Sequence, residues 1–215
     1  GGELPPLQSG VGNVANAVLA GLVLSRFANL KVWTEVIQDA MFDLIDAGKL
    51  VAISGSSLSP SPEGLVRFHN NIDRYKDKII LRPQEISNNP EISRRLGVIA
   101  MNTALEVDIY GNANSTHICG TKMVNGIGGS GDFSRSAGLV VMLTPSTGKG
   151  NLISRVVPHV AHVDHTEHEV HIIVTEHGLA DLRGLDPREK VPLIVKNCAH
   201  PDYRSGYTSM PWGGY

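Results

Sequence analysis

Short apolar runs rich in β-branched residues recur along this chain, and most are separated from the next by a segment with helical spacing of its apolar positions. Val32-Trp33-Thr34, Leu50 to Ser54, Lys78 to Leu81, Val98 to Asn102, Leu139 to Leu143 and Val170 to Val174 all read this way. A run of four to six apolar residues bounded by turn formers suits a strand buried on both faces, and alternation with helices restricts the chain to an α/β architecture. The expected fold is therefore an open mixed sheet with helices on both faces. The helical segments are Val14 to Leu24, the stretch that runs from Val36 and Ile37 through Met41, Leu44 and Ile45 to a left-handed cap at Gly48, Glu63 to Tyr75, a short helix ending near Leu96, one starting near Asp132, and Pro187 to Asn197. Further strands are expected at 105–110, 115–119 and 152–157, with Arg82 to Pro90 as a loop.

Composition narrows the class. With 215 residues, 41% of them hydrophobic, the chain can bury one good core, and a formal charge of −2 gives no basic excess for nucleic acid or an anionic membrane. No apolar run approaches the roughly 20 residues of a membrane-spanning helix. Two cysteines, Cys119 and Cys198, make neither a disulfide framework nor a cysteine-rich zinc site, so a reducing compartment is the default. A start at Gly1-Gly2 without Met and an end at Pro211-Trp212-Gly213-Gly214-Tyr215 suggest a piece of a longer protein. Residues 1–203 are expected to form one domain and 204–215 an irregular tail.

Four stretches can carry chemistry. Glu35 follows the apolar run Val32 to Thr34, at the carboxyl end of a strand, where open α/β sheets place their ligands; alternatively it is a first-turn residue favoured by a helix dipole. Asn125 to Asp132 holds four glycines in six residues, Gly126, Gly128, Gly129 and Gly131. Such a loop brings backbone N–H groups close to a ligand, as a phosphate cradle or an oxyanion hole does, although it matches neither the P-loop nor the dinucleotide fingerprint and can also be a plain tight turn. In His159 to His171, five of the nine histidines recur at every third position. That period turns about 300° per step on a helix and alternates faces on a strand, so a hydrogen-bonded surface turn is favoured over a zinc site. Finally, Ile172 to Thr175 delivers Glu176 to the end of a strand, while Asp181 and Arg183 are expected to pair structurally.

Taken together, Leu7-Gln8-Ser9-Gly10-Val11-Gly12-Asn13-Val14-Ala15-Asn16-Ala17, Thr34-Glu35-Val36-Ile37-Gln38-Asp39, Pro83-Gln84-Glu85-Ile86-Ser87-Asn88, Glu106-Val107-Asp108-Ile109-Tyr110-Gly111-Asn112, the glycine-rich loop, His162 to His168 and Thr175 to Gly184 resemble the C-terminal half of the acetyl-CoA hydrolase/transferase family, class I CoA-transferases of the succinyl-CoA:acetate type. The resemblance implies the CoA-transferase fold and a missing N-terminal α/β domain as partner. It also implies acyl-CoA and small carboxylates as substrates, a homodimer, no resident cofactor or metal, and coenzyme A as substrate alone. Glu35 corresponds to the family's nucleophilic glutamate, Asn88 and the Gly129 N–H to oxyanion donors, and Glu176 to a supporting carboxylate. Gly128, Gly129 and Lys149 correspond to the CoA-binding groups; Lys149 can equally be a solvated loop lysine, and Glu106 reads as structural. The implied reaction moves CoA between acids such as acetate, propionate and succinate through a glutamyl-CoA thioester. Hydrolysis of acetyl-CoA by the same glutamate is the near alternative, and a non-catalytic metal-binding module the remote one. The implied location is the cytoplasm in a bacterium or the mitochondrion in a eukaryote.

Overall fold

A computed structural model describes residues 3–208. The chain divides into two units, residues 1–102 with 132–139, and residues 103–131 with 140–215. The first unit contains β1 (Leu7–Ser9), α1 (Asn13–Gly21), β2 (Leu30–Trp33), β3 (Val36–Ile37), α2 (Asp39–Asp46), β4 (Leu50–Gly55), β5 (Ser57–Leu58), α3 (Pro62–Asn70), α4 (Ile72–Tyr75), β6 (Ile79–Leu81), α5 (Gln84–Ser87), α6 (Pro90–Leu96) and β7 (Ile99–Thr103). Its strands pair in the order β7-β1-β2-β4-β6, all parallel. The chain builds outward from β1 through β2, β4 and β6, then returns to lay β7 on the other side of β1. Right-handed crossovers running in opposite directions cover opposite faces of a sheet, and the reversal beside β1 marks its switch point.

Local chemistry sets these boundaries. The apolar positions Met41, Phe42, Leu44 and Ile45 bury one side of α2, and Gly48, at φ 68°, reverses the chain after it. Ser61 caps α3 by accepting from the Gly64 N–H, with Pro62 at the first helical position. Asn89 caps α6 through the Glu91 and Ile92 N–H groups, and left-handed Gly97 ends it. Phe42, Phe68 and Tyr75 stack with centroids 5.1–6.0 Å apart, and Arg67 bridges Asp43 and Asp46 at the rim of that cluster.

The second unit opens with β8 (Glu106–Asp108), β9 (Ala113–Asn114), β10 (His117–Ile118) and β11 (Lys122–Met123). After α7 (Ser130–Ser136) come β12 (Leu139–Leu143), β13 (Thr147–Gly148), β14 (Ile153–Ser154), β15 (Val156–Val157), β16 (Ile172–Thr175), β17 (Gly178–Asp181), α8 (Pro187–Cys198) and α9 (Pro201–Thr208). Here β12 pairs parallel with β16 and β16 antiparallel with β17, while β15 runs parallel to β8 and β8 antiparallel to β9. Asp186 and Glu189 form a capping box on α8, and Val191, Ile194, Val195 and Cys198 are the buried side of that helix. Parallel and antiparallel pairs together make the expected α/β architecture with a mixed sheet. No helix among the described residues is long and apolar enough to cross a membrane.

Several expected boundaries move. Val36 and Ile37 do not begin a helix; they form β3, paired with Ser57 and Leu58. The stretch from Glu63 to Tyr75 breaks at Asn71. The loop expected at 82–90 contains the helical turn α5, and the run 152–157 is interrupted at Arg155. Strands β1 and β17 and helix α9 were not expected. Because α9 runs through Thr208, the irregular tail expected from residue 204 is helical in its first part, and 209–215 lie outside the described residues.

Candidate active site

Glu35 occupies the connection after β2, and its backbone is fixed from several directions. Its carbonyl accepts the Ser56 and Ser57 N–H groups at 2.8 and 3.2 Å, the Thr34 N–H donates to the Ser54 carbonyl at 2.9 Å, and the buried Thr34 hydroxyl donates to the Ser9 carbonyl at 3.2 Å. The pairing of β3 with β5 holds the following residues. Helix α2 starts only at Asp39, which removes the first-turn reading of Glu35. The side chain itself is partly buried and, among the described residues, makes no hydrogen bond or ion pair. A carboxylate on a rigid mount with its oxygens uncommitted has the chemistry a nucleophile needs.

Asn88 is the cap at the end of α5, its N–H donating to the Gln84 carbonyl at 2.8 Å. That turn is tied to β2, just ahead of Glu35, by the Trp33 indole N–H, which donates to the Ser87 carbonyl at 2.8 Å. The Arg82 guanidinium lies 5.8 Å from the Trp33 ring and donates to the Ser54 hydroxyl at 2.9 Å. The Asn88 Nδ2 donates to Asp132 Oδ2 at 3.1 Å, while its Oδ1 is buried without a partner among the described residues. An unsatisfied buried carbonyl costs about 1–3 kcal/mol, a cost that a bound ligand or water removes. An amide nitrogen has two hydrogens, so Asp132 orients the group and leaves one N–H to donate.

In the second unit, Gly128 has φ 55° and is exposed, whereas Gly129 is buried and immediately precedes α7. The helix starts at Ser130, two residues earlier than expected, which sets the Gly129 backbone at its first turn, where amides have no intrahelical acceptor. The Ser130 hydroxyl donates to the Ile127 carbonyl at 2.6 Å and meets His165 Nε2 at 3.2 Å. His165 is fully buried and backbone-paired with Ala113. The loop's shape thus depends on the histidine-rich segment.

Glu176 lies at the turn between β16 and β17. Its carboxylate accepts the Ser146 N–H at 2.8 Å and the Ser146 hydroxyl at 2.5 Å, with His177 Nε2 at 3.7 Å. Burial pushes its pKa up, but the two Ser146 bonds and the His177 charge outweigh burial and hold the group below its ordinary value. Lys149 is exposed at the tip of the β13–β14 hairpin, in a left-handed run with Gly150 and Asn151 at φ 49°, 64° and 70°. A lysine costs about 1 kcal/mol or more there, a strain that Gly would avoid.

The remaining candidates are structural. Glu106 Oε1 accepts from Asn114 Nδ2 at 2.9 Å and the Ala161 N–H at 2.8 Å. Arg183 grips Asp181 through two N–H groups at 2.9 and 2.7 Å. The periodic histidines disperse: His159 packs tilted against Tyr110, His165 meets Ser130, His168 is exposed, and His171 Nδ1 accepts the Val140 N–H at 3.1 Å. Sequence reasoning missed Asp132, Ser146, Ser130 and Trp33. Of these only Trp33 carried a local signal, since an indole N–H on a half-buried strand needs an acceptor.

Comparison with known proteins adds context. The sequence model of the acetyl-CoA hydrolase/transferase C-terminal domain matches residues 64–209. The chain is 63% identical over 207 residues to succinyl-CoA:acetate CoA-transferase of Clostridium kluyveri, covering 94% of this chain and 38% of that protein. It is 54% identical over 211 residues to acetyl-CoA hydrolase of Neurospora crassa, covering 94% and 40%. Among solved structures, RipA from Yersinia pestis superposes with a TM-score of 0.84 at 29% identity, over 96% of this chain and 49% of that one. The chain therefore spans about two fifths of the length of the curated relatives it matches.

Proposed function

The chain belongs to the acetyl-CoA hydrolase/transferase C-terminal domain family, and from that premise we propose that it carries the nucleophile of an enzyme moving CoA between short-chain carboxylic acids. The observation that carries this reading is Glu35: a half-buried carboxylate, uncommitted among the described residues, on a backbone fixed at both flanks.

The Glu35 carboxylate attacks the acyl carbon of an acyl-CoA, the C–S bond breaks, and CoA thiolate leaves behind a mixed anhydride. The thiolate then attacks the Glu35 carbonyl carbon, the anhydride C–O bond breaks, and the first acid departs from a glutamyl-CoA thioester. A second carboxylate retraces both steps, regenerating Glu35 and forming the new acyl-CoA. Bonds of similar reactivity are exchanged, so neither ATP nor a metal is needed, and CoA is a substrate rather than a resident cofactor. Each addition creates an oxyanion, for which the second Asn88 N–H and the Gly129 backbone N–H are the proposed donors. Glu176, ionised and held by Ser146, is assigned a supporting charge. Exposed Lys149 is assigned, with Gly128 and Gly129, to CoA.

Transfer among acetate, propionate and succinate, the N-terminal domain as partner and a homodimer complete the proposal. Hydrolysis is a second reading, favoured by the 54% identity to a protein named acetyl-CoA hydrolase; water would then take the place of the second acid.

The test uses the chain completed to the length of its relatives, incubated with acetyl-CoA and reduced with borohydride. A glutamyl thioester is reduced to an alcohol, so a loss of about 14 Da at Glu35, absent from Glu35→Ala, is expected. An active protein with no mass change would remove Glu35 as nucleophile. Consumption of acetyl-CoA without added acid separates hydrolysis from transfer.

A further inference from the structure

Among the described residues one group of side chains has the donor chemistry of a metal site, and only two of its members come from the histidine-rich stretch. His117, from β10, meets His162 and Asp164, and one donor atom from each lies within 4.8 Å of the others. The two imidazole rings face each other with centroids 3.9 Å apart. The Nε2 of His162 is 3.4 Å from Asp164 Oδ1. That separation is long for a charge-assisted N–H···O bond, typically about 2.7–2.9 Å. It matches the distance between two donors of one tetrahedral zinc ion, about 3.4 Å for metal–ligand bonds of about 2.0–2.2 Å.

The surroundings are those of a built site. The Asp164 side chain is only 6% exposed. Its Oδ2 accepts the Ser115 N–H at 2.7 Å and the Thr116 N–H at 2.9 Å, and the Thr116 hydroxyl lies 2.7–2.9 Å from both oxygens. The same hydroxyl meets His117 Nδ1 at 2.6 Å, which fixes the orientation of that imidazole. Asn114 holds His117 through its Oδ1, which accepts the His117 N–H at 3.0 Å, and its Nδ2, which donates to the His117 carbonyl at 2.7 Å. Orientation of metal-binding imidazoles and carboxylates by such partners is a general feature of metal sites.

We propose that His117, His162 and Asp164 bind one divalent transition-metal ion of the zinc class, with water completing its coordination, and that the ion is a structural clamp. The Thr116 carbonyl, one residue from His117, accepts the Val124 and Asn125 N–H groups at 2.8 and 3.2 Å. Asn125 leads directly into Gly126 and the glycine-rich loop. An ion joining β10 to the 162–164 segment therefore locks the base of that loop. Nitrogen donors exclude magnesium, which demands oxygen ligands.

The experiment titrates the chelator-treated, dialysed chain with Zn2+ against a chromophoric competitor, with Mg2+ in parallel. One equivalent of zinc should bind with micromolar or tighter affinity, raise Tm and slow hydrogen exchange at the Val124 and Asn125 amides, while Mg2+ should do none of these. Affinity should fall at least tenfold in His162→Ala, a half-exposed position whose loss leaves the fold intact, and again in His117→Ala. His159→Ala and His168→Ala should bind as the parent does. Absence of saturable zinc binding would overturn the proposal. So would unchanged affinity in the folded His117→Ala/His162→Ala double variant, or slowing of exchange that does not reach Val124 and Asn125.

Discussion

Gly55→Ala separates two physical effects of opposite sign beside Glu35. Ordinarily the change stabilises a chain by about 0.4–1 kcal/mol through the unfolded state, and Gly55 lacks the positive φ that would forbid a side chain. The new Cβ, however, would lie 2.9 Å from Ile37 Cγ1, 3.2 Å from Ile37 Cδ1 and 3.4 Å from the Glu35 carbonyl oxygen. Carbon atoms settle at about 3.5–4.0 Å, so the shortfall at Cγ1 is roughly 0.6–1 Å. Cγ1 sits near the root of a fully buried side chain and cannot swing away. Overpacking of this kind costs about 1–3 kcal/mol and exceeds the entropic gain, and its relief moves the Glu35 to Ile37 connection. Urea titration of the chain should show the variant less stable by about 1–2 kcal/mol. In the completed enzyme kcat should fall by about 10²-fold, the typical penalty for misplacing a reacting group by about 1 Å. Adding Ile37→Ala removes the obstructing atoms, so the double variant should be more stable than the sum of the single losses predicts, by at least about 0.5 kcal/mol. A Gly55→Ala chain as stable as the parent, or strictly additive losses, would refute the steric reasoning.

Asp132→Ala, which frees the Asn88 amide to rotate, should lower kcat with KM little changed, by less than the 10²-fold or greater loss expected when the donor itself is removed in Asn88→Ala. Native protein should expose one reactive thiol, Cys119, and denatured protein two, because burial pushes the Cys198 thiol up to about 12; two fast thiols in the native state would contradict the burial of α8. Burial first, and then the Arg183 charge, hold His171 below its usual value. The unfolded chain therefore binds the extra proton, so the stability His171 contributes is complete above about pH 6.5 and is lost as pH falls toward its folded pKa. A His171→Gln chain should show a shallower decline over that window in urea titrations at stepped pH. Glu176 shares the sign at lower pH: its contribution is present above its unfolded pKa and lost as pH falls through the depressed value. Ser146→Ala should move that loss to higher pH, as read by NMR titration of the carboxyl.

The longer parallel strands were legible because burial on both faces writes itself as a continuous apolar run, as in Leu139 to Leu143, whereas the short β1, which carries Gln8 and Ser9, was not. Strand β17 was not: Gly178-Leu179-Ala180-Asp181 has no β-branched residue, and only its pairing with Ile172 to Thr175 makes it a strand. Val36 and Ile37 fit the phase of the following helix in sequence, but ladder bonds to Ser57 and Leu58 decide their state. Within the candidate site, the strand-end positions of Glu35 and Glu176 could be anticipated from the runs before them. Their different circumstances could not. Ser146 engages Glu176 from 30 residues away, and Asp132 reaches Asn88 across 44. The histidine spacing was misleading for the same reason: tertiary neighbours sort those rings one by one, and the ring that meets His162 belongs to His117 in β10.

The way Glu35 is mounted separates inheritance of shape from inheritance of chemistry. Every bond that fixes its connection belongs to a backbone group or a neighbour, and none to its own carboxylate among the described residues. Selection can therefore exchange that one side chain without disturbing the scaffold. On the proposed mechanism, a lineage that lost the carboxylate would keep a folded domain and forfeit only covalent capture, leaving a ready starting point for a non-catalytic descendant. Conversely, mutational drift in Thr34, Gly55 or the 56–57 segment would erode catalysis while Glu35 itself stayed unchanged.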